Sequence, residues 1–478
     1  MHRNGAPSLS EQTKKQVTSS TVTLYTYYII YMRYKPYYSS ILRLGAPIVL
    51  GQLGNVILGF IDTIMVGHYS ADALSSAGFV TNIFNLGIVA LIGFSYGATP
   101  IIGAHYGRNE RDKVGASFKD SIYANLICGA GVTLIYTLLY FNLHNLGQPD
   151  ELIPLMRPYF LTFLLAMPFV VLFNCFKQFT DSVASTKTAM WVIIIGNILN
   201  VILNYLLIYG KCGMPQLGLT GAGIATLISR ILMVIMMYIL IKSQKKFSIF
   251  GKGFHEHKTG RENIATLFNV GTPLALQMGM ETASFSLASL LMGWLGATEL
   301  AAFQIMCTTG SLCFLIYYGI GAAACIRMSH YRGREQWDKV HLTANASLHI
   351  ILSSALILSL LIATLRYEFA ALFTDDKVIQ TMFTALLVPM LAYQISDGIQ
   401  TNYANALRGI EVTKPLGIYA FISYVCLALP ISYLFGFIMD MRAIGVAMGL
   451  PVGLTTAAIL YFIRFRKEIR KHTILTKI

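Results

Sequence analysis

The chain has 478 residues, 55% of them hydrophobic and only 12% charged, about half the charged fraction of a typical soluble domain. No soluble core of this length needs so much apolar surface, which argues against a water-soluble enzyme or binding module. The formal net charge of +14 would suit nucleic acid in a soluble protein, but in a membrane protein the placement of the basic residues decides its meaning.

In chain order, residues 1–40 form a polar and then tyrosine-rich N-terminal extension, and residues 1–23 lack the apolar run of a signal peptide. Met32-Arg33-Tyr34-Lys35 has the form of an ordinary start, so translation is expected to begin at Met32. Stretches of about 20 apolar residues, enough to span the hydrocarbon layer, follow at 41–66, 74–103, 116–141, 152–177, 188–210 and 217–242. A basic segment, 243–263, leads to six more at 264–293, 299–326, 342–364, 378–407, 414–438 and 442–463, followed by a basic tail, 464–478. The expected fold class is an all-α integral membrane protein of twelve transmembrane helices.

Basic residues crowd one set of connections: Arg108, Arg111 and Lys113 after the second span, Lys245, Lys246 and Lys252 after the sixth, Arg332, Arg334 and Lys339 after the eighth, and Arg464, Arg466 and Lys467 in the tail. The opposite loops hold little beyond Lys211, Arg366, Lys377 and Arg442. By the positive-inside rule both termini face the cytoplasm of a plasma (inner) membrane. The basic balance reports topology, and no nucleic-acid partner is expected. The seven cysteines stand singly, with no C-x-x-C pair, and read as packing residues.

The chain repeats itself. His105-Tyr106, Gly107-Arg108 and Asp112-Lys113-Val114 are answered by His330-Tyr331, Gly333-Arg334 and Asp338-Lys339-Val340, 225 to 226 residues on. Gly45-Ala46-Pro47 answers Gly271-Thr272-Pro273, and Gly67 answers Gly293. A six-helix repeat inserts both halves in the same sense, so two six-helix bundles related by a pseudo-two-fold axis along the membrane normal are expected. The expected domains are an N-terminal lobe, 41–242, a cytoplasmic linker, 243–263, and a C-terminal lobe, 264–463, with the substrate path between the lobes.

An ionised carboxylate in hydrocarbon costs on the order of 3 kcal/mol or more, so each one needs a partner, a cavity or a task. Asp62, Glu281 and Asp397 stand out. Asp62 lies toward the outer end of the first span, with Asn55 two turns earlier on the same face. Asn197, Asn200 and Asn204 stripe the fifth span, and Tyr159 and Thr226 reach a similar depth on the fourth and sixth. These residues can form one first-lobe cluster, functional or simply hydrogen-bonding between helices.

In the second lobe, Glu281 shares a face with Gln277 and Ser284, while Tyr393, Asp397 and Gln400 share a face of the tenth span one turn beyond Pro389. Such a set suits an oxygen cage for a monovalent cation, a carboxyl pair of which one member carries a proton, or a neutralised structural pair. Arg230, midway along the sixth span, faces the interlobe cavity, pairs with an acid or snorkels. His105 and His330 are expected to be structural, and Lys177 and Asp181 are expected at the inner end of the fourth span, where charge is cheap.

Several motifs together resemble the multidrug and toxic compound extrusion family, from Ile41 onward. They are Leu44-Gly45-Ala46-Pro47, the run from Gly59 to His68, Asn200-Val201-Ile202-Leu203-Asn204-Tyr205, Gly221-Ala222-Gly223-Ile224-Ala225-Thr226, Ala302-Phe303-Gln304-Ile305 and the run from Tyr393 to Gln400. The resemblance implies a V-shaped pair of bundles that exports cationic or amphipathic compounds in exchange for sodium ions or protons. It also implies that Glu281, Tyr393, Asp397 and Gln304 match the second-lobe cation site, with Glu281 and Asp397 the carboxylate ligands for sodium. Asp62, Tyr159, Asn200, Asn204 and Thr226 match the first-lobe site for cation, proton or substrate. The paired second-lobe acids fit the NorM-like branch, and Asn204 departs from the archaeal and DinF-like branch, which has Asp there.

The expected function is therefore secondary active export by a membrane-embedded monomer that needs no cofactor beyond the coupling ion, sodium or proton. The first rival is a flippase for a lipid-linked precursor. A membrane-embedded enzyme lacks support, since no H-E-x-x-H or P-loop occurs, and a channel fits the two-lobe repeat poorly.

Overall fold

The structure is a computed structural model that describes the backbone of residues 9–475 and the side chains of 32–472 and 474. The expected start at Met32 concerns residues 1–31, whose side chains lie outside the described residues, as does Lys477 of the tail.

The first bundle comprises α1 (Leu9–Tyr69), α2 (Ala71–Ser95), α3 (Ala98–Gly107), α4 (Arg111–Phe141), α5 (Ile153–Ser182), α6 (Thr186–Tyr209) and α7 (Gly218–Ser243). Two short helices, α8 (Lys245–Ser248) and α9 (Gly251–Glu256), lead to α10 (Arg261–Leu295), α11 (Ala297–Gly333), α12 (Trp337–Thr364), α13 (Arg366–Ala371), α14 (Lys377–Ala385) and α15 (Leu387–Gly409). The chain continues through α16 (Lys414–Ala420), α17 (Leu429–Tyr433) and α18 (Arg442–Leu475).

Among the described residues, ten spans are long and apolar enough to cross a membrane, and the pair α14 and α15, bent by 49°, makes an eleventh. The twelfth is α10, which has 35 residues and so extends about 50 Å. Gln277, Glu281, Thr282 and Ser284 dilute its apolar character, so the span that hydropathy undercounts is one that carries candidate site residues. Around α17 the helix widens into π-helical stretches at Phe421–Ala428 and Leu434–Ile438. Pro430 has no N–H and its ring clashes with the carbonyl one turn back; a wider turn relieves both.

The first helix runs N-terminally past the expected residue 41. Tyr34 and Tyr38 lie against His349 of α12, and the Tyr38 hydroxyl is 2.9 Å from His349 Nδ1, so these tyrosines belong to a packed helix rather than to a loose lead-in. The segment 243–263 is likewise built into the first bundle. Phe247 and Phe250 pack on Phe179, Phe254 packs on Phe118, and His257 Nε2 lies 2.9 Å from Asp120 Oδ1.

Each bundle has its own apolar core, one around Phe84, Phe160 and Phe179, the other around Phe303, Phe383 and Tyr461. Ile41, Leu44 and Ile48 at the start of the first span belong to the second core, because α1 leans across onto α11. The repeat makes this crossing reciprocal. A Cβ on Gly45 would lie 3.2 Å from Gly319 O, and one on Gly271 would lie 2.7 Å from Phe94 O. Hence α1 meets α11 as α10 meets α2, and glycine lets each pair approach backbone to backbone.

The same symmetry governs the basic end. Arg108 Nε donates to Gly333 O at 3.1 Å, and Arg334 Nε donates to Gly107 O at 2.8 Å. Each arginine thereby satisfies a helix-terminal carbonyl of the opposite lobe, a group that a helix alone leaves unpaired. The following residues, Asn109 and Glu335, share a left-handed backbone, with φ of 62° and 60°. His330 adds a 2.7 Å contact from Nε2 to Ser182 O across the interface, whereas His105 pairs with Glu110 at 2.6 Å within its own loop. His105 and Lys113 together hold the Glu110 carboxyl well below its usual range, at about 2. Among the described residues, the side-chain hydrogen bonds that join the lobes are these, Tyr38 with His349, and Tyr96 with Tyr318. Apart from the mid-span pair Tyr96 and Tyr318, these lie toward the basic end, so the lobes are latched there.

Candidate functional site

Two cavities open between the helices, and they share two walls, Tyr96 just after α2 and Tyr318 of α11, whose hydroxyls are hydrogen-bonded. The second-lobe cavity, about 1280 Å³ with its mouth, is lined by Glu281, Tyr393, Asp397, Gln400, Thr401 and Arg408 among others. The first-lobe cavity, about 840 Å³, is lined by Gln52, Asn55, Lys177, Thr226 and Arg230 among others.

In the second lobe, α10 supplies Gln277 and Glu281 one turn apart, so the Gln277 amide donates to Glu281 Oε2 at 2.9 Å. From α15 the Gln400 amide reaches the same oxygen at 3.2 Å and is also 2.9 Å from the Tyr424 hydroxyl. One turn before Gln400 stands Asp397, whose Oδ1 accepts from Thr401 at 3.4 Å. The two carboxylates repel each other, and among the described residues no guanidinium or ammonium pairs with either. Tyr393 is buried one turn before Asp397, with its hydroxyl pressed against Gly310 so closely that a Cβ there would overlap it. Glu281, Tyr393 and Asp397 therefore line one chamber with carboxylate, phenol and amide oxygens.

Gln304 does not join them. It is exposed, and its amide lies 3.4 Å from Ser289 Oγ. Ser289 is two turns beyond Glu281 on α10, about 12 Å along the axis. Sequence reading missed Tyr424, a tyrosine in an apolar span whose π-helical turn brings it to Gln400; the nearby Pro430 was the available signal.

In the first lobe the five expected residues come together. Asn204 Nδ2 donates to Asp62 Oδ1 at 2.6 Å and to Asn200 Oδ1 at 3.0 Å, and Asn200 Nδ2 is 3.4 Å from Thr226 Oγ1. Tyr159 is buried within electrostatic reach of Asp62, its hydroxyl paired with Thr81. A stripe of amides continues from this cluster toward the cavity, with Asn197 3.4 Å from Asn55 and Asn55 3.3 Å from Gln52. Arg230 faces the cavity and is the cation that acts on Asp62 through space, so it has a task and does not snorkel away.

Lys177 and Asp181 differ from the expectation of cheap, solvated charge. Both are buried and form a 2.9 Å ion pair, because the lobes close over the basic end of α5. Arg408 is buried too, stacked 4.5 Å above the Tyr96 ring and bonded to Cys325 Sγ at 3.2 Å.

The MatE family model matches residues 47–206 and 273–434, one copy in each lobe. The chain belongs to the multidrug and toxic compound extrusion (MATE) family. A second model, the lipid II flippase MurJ, matches only residues 149–299. The chain is 29% identical over 436 residues to the multidrug resistance protein NorM of Vibrio vulnificus, covering 90% of this chain and 96% of that protein. To the probable multidrug resistance protein NorM of Mannheimia succiniciproducens it is 30% identical over 464 residues, covering 94% and 98%. A solved structure described as MATE in the straight conformation superposes with a TM-score of 0.83 at 19% identity, over 91% of this chain and 97% of that one. This likeness establishes the twelve-helix, two-lobe MATE fold, and each family-model copy contains part of the acid clusters: Asp62 in the first, Glu281 and Asp397 in the second.

Proposed function

We propose that this MATE protein is a secondary active multidrug exporter that antiports cationic or amphipathic compounds against sodium ions or protons, by alternating access of two lobes. The carrying observation is the cation-poor acid pair Glu281 and Asp397 beside a large interlobe cavity. Two carboxylates in a low-dielectric chamber cannot both stay ionised cheaply, so the pair takes up either a proton or a sodium ion. Sodium gains the Tyr393 hydroxyl and nearby amide oxygens, and it relieves the repulsion directly. Sodium and protons then compete for one site, and the cation that leaves sets which lobe arrangement binds substrate.

Asp62, Tyr159, Asn200, Asn204 and Thr226 form the first-lobe site. In this reading the protein is a monomer in the plasma (inner) membrane with both termini cytoplasmic. Its lobes span 41–242 and 264–463 with 243–263 between them, and the arginine latch closes the cytoplasmic side. The MurJ match favours one alternative, a flippase for a lipid-linked precursor.

Export of a fluorescent cation from proteoliposomes, with sodium and proton gradients imposed separately, tests the reading. Gradient-driven dye movement is expected; dye transport under neither gradient, with movement of a lipid-linked precursor instead, would favour the flippase.

A further inference from the structure

We propose that the first-lobe cavity holds an anion subsite centred on Arg230, which receives the carboxylate of zwitterionic amphipathic substrates. The inference rests on the exporter reading and assigns one chemical class of cargo to one of its cavities. Three observations carry it.

The charge of the cavity wall comes first. Arg230 lines the cavity and makes no ion pair within 4 Å among the described residues; its one hydrogen-bond partner is the weak acceptor Met233 Sδ, at 3.8 Å. The other cation on the wall, Lys177, is already neutralised by Asp181 at 2.9 Å. Among the described residues, no carboxylate lines this cavity. Asp62 acts on Arg230 only through space, while its own oxygen is bound by Asn204. A guanidinium held at mid-membrane depth with its fork of donors unfilled is costly, and a planar carboxylate is the group that the fork matches in two parallel hydrogen bonds.

The neutral groups come second. Gln52, Asn55 and Asn174 share the wall with Arg230, and amides can donate to an anion without adding charge. The remaining wall is largely apolar or aromatic, including Phe163, Phe173 and Tyr318, which suits the body of an amphipathic compound.

The third observation is the contrast across Tyr96 and Tyr318, the walls common to both cavities. The second-lobe chamber presents Glu281 and Asp397, while its cation Arg408 is engaged by Asn405, Cys325 and the Tyr96 ring. One chamber is therefore suited to positive charge and its neighbour to negative charge. A compound carrying an amine and a carboxylate finds complementary surroundings on the two sides.

The test uses rhodamine B, which carries a free carboxylate, and its ethyl ester, which carries the same cation without it. Fluorescence anisotropy on the detergent-solubilised full chain gives the ratio of the two affinities. For the wild type the acid should bind at least as tightly as the ester. In Arg230→Gln the ratio should shift against the acid by about tenfold or more, the loss of a charge-assisted bidentate contact. Arg230→Lys keeps the charge but not the fork, and should shift the ratio by a smaller factor, so the proposal stays testable if the glutamine variant fails to fold. A ratio within twofold of wild type in both variants would overturn the subsite while leaving the exporter reading intact, provided the dyes bind. If the wild type binds neither dye, the exporter reading falls and the subsite with it.

Discussion

The two lobes descend from one repeat and share their latch, their crossing glycines and their helix-ending turns, yet they treat buried acid in opposite ways. At the first-lobe site one carboxylate, Asp62, feels the charge of Arg230 through space, without an ion pair, and takes a hydrogen bond from Asn204. In the second, among the described residues, Glu281 and Asp397 receive hydrogen bonds only from amides and a hydroxyl, while Arg408 on the same chamber wall is engaged by Asn405 and Cys325. A lone carboxylate in the field of a fixed cation gains less from a mobile one. A pair without any depends on what it can bind. On the exporter reading proposed above, the difference favours exchangeable cation binding in the second lobe and leaves the first for substrate and for tuning the cycle.

The largest expected effect comes from the cation-poor pair. Asp397→Asn should reduce sodium-driven dye export by roughly a hundredfold, the scale of losing a charged ligand worth about 3 kcal/mol. Tyr393→Phe removes a neutral ligand and should reduce it only severalfold; equal losses in the same proteoliposome assay would break the distinction. Asp62→Asn keeps size and most hydrogen bonding, so the protein should fold and insert, with export falling by about tenfold. Undiminished export at equal expression would make Asp62 structural.

Gly310→Ala sharpens the comparison from the packing side. Its new methyl would overlap the Tyr393 hydroxyl and push the phenol out of the chamber, and overpacking on this scale costs about 1–3 kcal/mol. Sodium affinity should weaken by roughly tenfold, while rhodamine binding in the first-lobe cavity should hold. The smallest effects belong to the shared latch. Arg108→Ala and Arg334→Ala each remove one guanidinium-to-carbonyl bond, so hydrogen exchange at the ends of α3 and α11 should rise by about threefold in either variant. A much larger rise in one than in the other would show that the latch is not symmetric.

The spans, the repeat and the meeting of Asp62 with Asn204 were legible because helical period and span direction fix depth and face. From the same pattern Glu281, Asp397 and Gln400 could be placed on facing stripes. Gln304 could not be excluded that way, because family resemblance carries a residue type and not its distance along a partner helix. Tyr424 was hidden because a π-helical turn rotates the face that a 3.6-residue period predicts. The burial of Lys177 and Asp181 was illegible for another reason: a span's end is solvated unless a second lobe covers it, and which helix crosses which is a tertiary fact.

The central claim, that the second-lobe acids exchange protons for sodium, is tested most directly by adding sodium to the detergent-solubilised protein in weak buffer. The two ions share a site, so sodium should release protons, sodium affinity should fall as pH drops, and the release should vanish in Asp397→Asn but persist in Asp62→Asn. An unchanged pH on sodium addition, with full efflux driven by a proton gradient in sodium-free medium, would contradict the claim and make the pair a proton carrier.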